Sequence, residues 1–431
     1  MAARRHDVLV IGGGPAGAAT AYWLAEAGHD VVVVEKKTFP REKTCGDGLT
    51  PRAVRQLADM GLDDRLAAAS HRVNGLRTLA HGISLELPWP SHPDFPSHGY
   101  VVRRRDLDQL VADNAVEAGA TLRQGAEAVA PVYDRGFLAG AVVASKGSDD
   151  GDGPGGGART EEVRARYVVV ADGSLSRFGR SLGATRNRSY PQGLAIRGYY
   201  ESPLHDDPWI ESALDVRDRR GQALPGYGWI FPVGDGTVNV GIGLLSTFRD
   251  WKSVNTTHLM EEWAATAPAY WGLTPEGRTS VPTGGRLPMA GSVNPKAGPT
   301  WLVVGDAGGS INPFNGEGID YAYETGRMAA GVLDEALRTG NGLALSRYPR
   351  LLEEEYGLYF KVARLFVRLI GRPTLMRELT RVGMHSRTLM EWVLRIMANL
   401  LRPEEVGPAE AAYRAVAALV RLVPERDPAI S

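Results

Sequence analysis

The chain has a single cysteine, Cys45, among 431 residues. That excludes an internal disulfide and fits a reducing compartment. It has no apolar run near the roughly 18 to 20 residues that a bilayer-spanning helix needs. Excess charge is missing too: the formal net charge is -1, so no overall field recruits nucleic acid or anionic lipid. The histidines are scattered without paired-ligand spacing, so no metal site is expected. A nucleophile elbow is absent. Met1 to His6 is basic and precedes an apolar, small-residue stretch, which resembles a secretory signal, and Arg4-Arg5 resembles a twin-arginine one. A glycine–proline turn interrupts that stretch, so a cytoplasmic protein is expected. At this length, with 43% hydrophobic residues, two or three domains are predicted.

What is present begins with VLVIGGGPAGAATAYWLAEAGHDVVVVEK. Val8 to Ile11 reads as a buried parallel strand, and Gly12, Gly14 and Gly17 follow at G-x-G-x-x-G spacing. The three glycines serve the tight turn, the close approach of backbone to pyrophosphate, and the packing of helix on strand. Pro15, followed by Ala16, is tolerated at a helix start because its missing N–H would have no intrahelical partner. The helix runs to about Ala27 with its positive end toward the phosphates. Val31 to Val34 form a second strand, and Glu35, followed by Lys36, ends it where a carboxylate can accept from ribose hydroxyls. Two strands, the helix and Glu35 together predict dinucleotide binding.

Farther along, residues 49–69 read as two helices separated by a glycine stop, 71–100 as a hairpin and loop, and the stretch from 103 as a helix. A strand is expected near 121–130. The stretch SKGSDDGDGPGGGART (145–160) reads as a surface excursion between strands. YVVVADGSLS brings a third buried strand into Asp172-Gly173. From about 186 to 285 short β segments with aromatic and Gly/Pro punctuation predict an antiparallel sheet. The string WLVVGDAGGSINPFNGEGID then returns to strand, loop and long helix, and beyond 346 the chain reads as almost wholly helical. The fold class is therefore α/β: a Rossmann-type nucleotide domain (1–75, 100–185 and 286–345) interleaved with an antiparallel β substrate domain (76–99 and 186–285), plus a C-terminal helical region (346–431).

Asp306 directly follows a strand and can hold a ribityl or ribose hydroxyl. Gly316 and Gly318 open a helix at Ile319, whose first amides lack intrahelical partners. Donors there suit a ring that becomes anionic when reduced, as a flavin does at N1–C2=O.

GGGPAG with Glu35, ADGSLS, and GDAGGSINPFNGEGID in that order resemble the p-hydroxybenzoate-hydroxylase-type flavoproteins. The resemblance implies that Arg104 contacts the FAD pyrophosphate. KTCGDGLTPRA (43–53) and PGYGWIFP (225–232) are similar to the cysteine–glycine loop and the tryptophan signature of the geranylgeranyl reductase family. That family resemblance covers about residues 5–345 and implies reduction of isolated C=C bonds of isoprenoid chains by reduced FAD. A trisubstituted alkene has no carbonyl to take up charge, so reduction couples hydride transfer to proton delivery, and the protein supplies position, a dry cavity and a proton source. Tyr227, Trp229 and Phe231 alternate along a strand and share one face, suited either to wall a slot for a prenyl chain or to pack as an aromatic core. Cys45 and Gly46 would border the flavin; Cys45, Tyr227 or a loop-held water could relay the proton. The high Arg, Ala and Gly content suggests a high-GC genome, where partly saturated menaquinones are common. That makes a menaquinone reductase the first choice and geranylgeranyl lipid or pigment precursors the next.

The tail from Lys361 to Ser431 carries twelve Lys and Arg against seven Asp and Glu. It places apolar residues at helical spacing, a pattern that fits lipid contact at the inner face of the membrane, a helical cap, or an oligomer face. No second glycine fingerprint exists for a nicotinamide, so NAD(P)H and a ferredoxin-like carrier both stay open as electron donor. The competing readings are an FAD-dependent aromatic monooxygenase, a flavin halogenase, which would want a W-x-W-x-I pair, and a non-catalytic flavin-binding module.

Overall fold

The computed structural model describes residues 4–145, 159–217, 221, 224, 226–247, 255–402 and 407–422. The glycine motif forms a strand–turn–helix unit, β1 (Arg5–Ile11), α1 (Pro15–Glu26) and β2 (Val31–Glu35). Every residue of β2 is buried, as a run of four valines in a parallel sheet covered on both faces should be. Then come α2 (Pro51–Asp59), the short helix Asp63–Ala69 that completes the expected pair, α3 (Arg104–Glu117) and the long strand β3 (Arg159–Val170).

Next comes a large sheet built from β4 (Gln192–Glu201), β5 (Trp209–Ala213), β6 (Gly226–Pro232), β7 (Thr237–Leu245) and β8 (Thr283–Pro288). It runs β8-β4-β7-β6-β5 and continues through the hairpin of Gly75–Ala80 and Ile83–Pro88 to seven strands. Pairing is antiparallel except between β5 and Gly75–Ala80, which is parallel. A helix between β7 and β8, α4 (Thr256–Thr266), covers one face of this sheet with Leu259, Met260 and Trp263. The expectation of β segments alone over 186–285 is corrected here. The signal was present: Asn255 caps the helix through His258 N, and the apolar residues recur at one-turn spacing.

The chain then returns to the parallel sheet with β9 (Trp301–Val303) and the long helix α5 (Ile319–Thr339). In that sheet β9, β3, β1 and β2 lie side by side, all parallel. The residues that end or follow them, Val304 onward, Ala171 onward, Gly12 and Glu35, therefore gather at one carboxyl edge, where ligands of open parallel sheets bind. Four tail helices close the molecule: α6 (Leu358–Ile370), α7 (Pro373–Met384), α8 (Arg387–Met397) and α9 (Pro408–Arg421).

One boundary differs from the sequence reading. β8 keeps the large sheet going to Pro288, past the expected end at 285. The region beyond 346 packs on both blocks: Tyr348, Tyr356 and Phe360 share a core with Val8, Leu24 and Leu333 of the nucleotide domain, and Met384, Met390 and Leu394 share one with Leu87 and Ile210 of the large sheet. The expected strand at 121–130 is two, Thr121–Gln124 and Ala126–Asp134, broken at Gly125. Most of the expected 145–160 excursion, and Pro225, lie outside the described residues.

Candidate active site

At the glycine turn Gly12 has φ +104, and a Cβ there would sit 2.4 Å from the Ala171 carbonyl oxygen. A Cβ on Gly17 would stand 1.9 Å from the Gly12 oxygen, so Gly17 packs the helix on the turn and does not line the cavity. Helix α1 starts at Pro15 with no side-chain cap at Gly14, leaving its first amides for a ligand. Glu35 is anchored by backbone: Oε2 accepts from Gly13 N at 2.9 Å and Oε1 from Lys37 N at 3.0 Å. Each oxygen keeps a further lone pair for a ribose hydroxyl.

Arg104 forms a two-point pair with Asp108, Nε to Oδ1 at 2.7 Å and Nη2 to Oδ2 at 3.0 Å. Arg41 reaches the same carboxylate with Nη1 at 3.0 Å. Its Nε is buried without a hydrogen bond, and both arginines line the cavity. That Nε faces Glu35 Oε1 from 3.6 Å, and a buried guanidinium with an unused hydrogen-bond donor beside a bare helix start fits a pyrophosphate. Sequence reading passed over Arg41; its only signal was a basic residue between the acid and the cysteine loop.

Asp172 spends its oxygens locally, accepting from Ser176 Oγ at 2.5 Å and Phe178 N at 2.9 Å. Burial raises its pKa. It holds the turn that brings Gly173 to the cavity wall. Asp306 differs: it lines the cavity, and among the described residues no hydrogen bond or ion pair engages its carboxylate. Gly316, Gly318 and Ile319 line the wall beside it, and α5 starts at Ile319 with no side-chain cap from Gly318. A free carboxylate for a sugar-like hydroxyl and free amides for an electron-rich ring edge fit the flavin end of FAD.

Tyr227, Trp229 and Phe231 lie on one face of β6 and all line the same cavity. Their ring centroids are 5.8 and 6.2 Å apart in sequence order. The opposite face meets α4, where a Cβ on Gly228 would lie 2.6 Å from the Trp263 ring. Trp229 donates from Nε1 to Asn239 Oδ1 at 2.9 Å. Asn239 in turn donates from Nδ2 to the Cys45 carbonyl at 2.9 Å and to Asp47 Oδ2 at 2.8 Å. Tyr199 OH donates to the same Asp47 oxygen, and Arg104 N donates to Asp47 Oδ1 at 3.3 Å. This network seats the cysteine loop on the aromatic face. A Cβ at Gly46 or Gly48 would come within 3.2 Å of the Phe231 ring. Tyr227 OH donates to the Asn315 carbonyl at 2.6 Å, tying the face to the loop that opens α5.

Burial raises the Cys45 pKa against the opposing pull of Arg104, so the group is a neutral thiol at physiological pH. Tyr227 is likewise raised by burial. Both therefore hold protons beside the cavity. Neither Asp47, Asn239 nor Tyr199 was singled out from the sequence, because their partners are supplied by distant segments.

The cavity, about 990 Å³, runs from the glycine turn past the aromatic face into an apolar vault of tail residues that includes Phe366, Ile370, Met376, Met390 and Met397. Among the described residues no cluster could hold a metal ion, and no helix is long and apolar enough to cross a membrane.

A Rossmann-type cradle with free donors at two helix starts, roofed by a sheet with an aromatic face, defines an FAD-dependent oxidoreductase. The chain belongs to the FAD binding domain family, whose model matches residues 5–223. Within it the chain is 41% identical to the menaquinone reductase of Mycolicibacterium smegmatis, over 98% of this chain and 99% of that protein. It is 33% identical to digeranylgeranylglycerophospholipid reductase 1 of Methanopyrus kandleri, over 83% of this chain and 88% of that protein. The fold matches the crystal structure of a geranylgeranyl bacteriochlorophyll reductase-like protein from Thermoplasma acidophilum with TM-score 0.76 at 22% identity, covering 96% and 99% of the two chains.

Proposed function

We propose that the protein saturates an isolated C=C bond of a polyprenyl chain, with the isoprenoid side chain of menaquinone as substrate. The observation that carries this is the continuity of the cavity: the cofactor cradle, the Tyr227–Trp229–Phe231 face and the apolar vault are one space. An aromatic hydroxylation site needs room for one ring; a passage into a third structural block suits a long, flexible hydrocarbon.

Bound FAD would supply the hydride. The chain's own residues do the rest. The aromatic face holds the alkene flat and excludes water, which would otherwise compete for the protons and charge of the reaction. A proton reaches the less substituted carbon and the hydride the more substituted one, so one π bond is replaced by two C–H bonds. Cys45, Tyr227 or a water held by the cysteine loop would give that proton, which returns from solvent; burial keeps both side chains neutral.

The entry side favours contact with anionic lipid. Leu379 both lines the cavity and is 46% exposed, with Leu369 and Val382 exposed nearby in sequence. Residues 361–397 carry eight Lys and Arg against two acids. A basic, apolar rim at a cavity mouth suits extraction of a chain from a bilayer.

The test is anaerobic turnover of flavin-loaded, dithionite-reduced protein with menaquinone, read by mass spectrometry. A gain of two hydrogens on the side chain is expected. Unchanged menaquinone together with oxygen-dependent hydroxylation of phenols would replace this reading.

A further inference from the structure

Behind the opening turn of α5, off the cavity wall, three carboxyls crowd together. Glu317 accepts from Thr50 Oγ1 and from Asn315 Nδ2, the latter at 3.2 Å. Glu324 Oε2 accepts from Arg52 Nη2 at 2.8 Å and from Tyr356 OH at 2.6 Å. Asp320 is fully buried, and neither of its oxygens accepts from another side chain. Arg52, itself 7% exposed, points its Nε at Asp320 Oδ2 from 3.9 Å without a hydrogen bond.

Among the described residues, phenols face the cluster, Tyr321 on α5, Tyr356 before α6, Tyr359 on α6 and Tyr227 on β6, and the His92 imidazole interacts with Arg52. One guanidinium cannot neutralise three buried carboxylates, and an uncompensated buried charge binds a proton instead of persisting. At least one of the three therefore holds a proton. Burial raises both Glu317 and Asp320, each further raised by its neighbours' charge.

The cluster is joined to the cavity. Glu317 lies between Gly316 and Gly318, which line the wall where a reduced flavin would place negative charge. Asn315 bonds Glu317 through its side chain and Tyr227 through its carbonyl.

We infer that Glu317 is a positioning residue whose carboxylate, within the Glu317–Asp320–Glu324 cluster, takes up a proton from solvent when the bound flavin receives two electrons. Charge arriving at the start of α5 then meets a neutralised acid and not a repelling one. The inference rests on flavin binding alone, so it stands or falls independently of the polyprenyl substrate.

The experiment is an electrochemical titration of the FAD-loaded protein without substrate, recording midpoint potential against pH and proton uptake per flavin. Wild type is expected to take up as much as one proton more per flavin around neutral pH than Glu317→Gln, whose potential falls less steeply with pH. Difference infrared spectra should show a protonated-carboxyl band gained on reduction that Glu317→Gln lacks. Thr50→Val, which removes a donor to the charged form, should move the uptake step to higher pH. Equal uptake and equal slopes in wild type and Glu317→Gln overturn the inference. If Glu317→Gln fails to retain FAD, an unmoved step in Thr50→Val overturns it equally.

Discussion

Asn239 joins the two halves of the site through one side chain, bonding Trp229, the Cys45 carbonyl and Asp47. It is fully buried, so its partners have no water to turn to. Asn239→Leu should leave a buried indole N–H and part of a buried carboxylate unpaired, costing about 2 to 4 kcal/mol from the penalties of orphaned polar groups. Chemical denaturation would measure this. Trp229→Ala, by contrast, removes the indole that walls the slot. It should retain FAD by absorbance and lose prenyl turnover. A variant that loses FAD or unfolds instead would mark Trp229 as core. The space around that ring is tight, since a Cβ on Gly241 would lie 2.1 Å from Trp229 Cζ2.

Among the elements, the turn after β9 depends on an unusual cation. Lys296 donates from Nζ to the carbonyls of Gly291, at 3.0 Å, and Gly308, so it ties the loop before β9 to the one carrying Asp306. Burial pulls its pKa from 10.5 down to about 7. Between those two values the unfolded chain holds a proton that the folded protein has released. Stability therefore rises with pH across that window, and the gain is lost as pH falls back toward 7. Lys296→Met should flatten this rise in denaturant melts. A wild-type stability that stays level over the same range would show that the ammonium stays charged between its carbonyls.

At the scale of the whole molecule, the cavity exists only because three blocks enclose it: the parallel sheet edge, the large sheet and the tail helices. The tail shares its core with the nucleotide domain, so truncation near residue 350 would unfold the protein and report nothing about lipid. Point changes are the cleaner probe. Leu369→Asp and Val382→Asp, both at exposed positions outside the cavity lining, should weaken sedimentation with anionic vesicles while sparing turnover of detergent-dispersed substrate. Sedimentation equal to wild type would argue against a lipid-facing tail.

The cofactor cradle was legible in the amino-acid order because its demands are local. A turn that places a neighbouring carbonyl 1.9 Å from a would-be Cβ admits only glycine, and Glu35 must stand at the end of the next strand. The alternation of Tyr227, Trp229 and Phe231 likewise announced a shared face. What that face looks onto was not legible, nor were Arg41, Asn239, Asp47 or the acid cluster under α5. Their partners lie as far as 272 residues away, as with Arg52 and Glu324. An isolated Asn or Arg looks the same in sequence whether solvent or a buried carboxylate awaits it. Local backbone geometry wrote the nucleotide fold into short motifs; burial, charge pairing and the cavity arise only when remote segments exclude water together, and folding alone decides that.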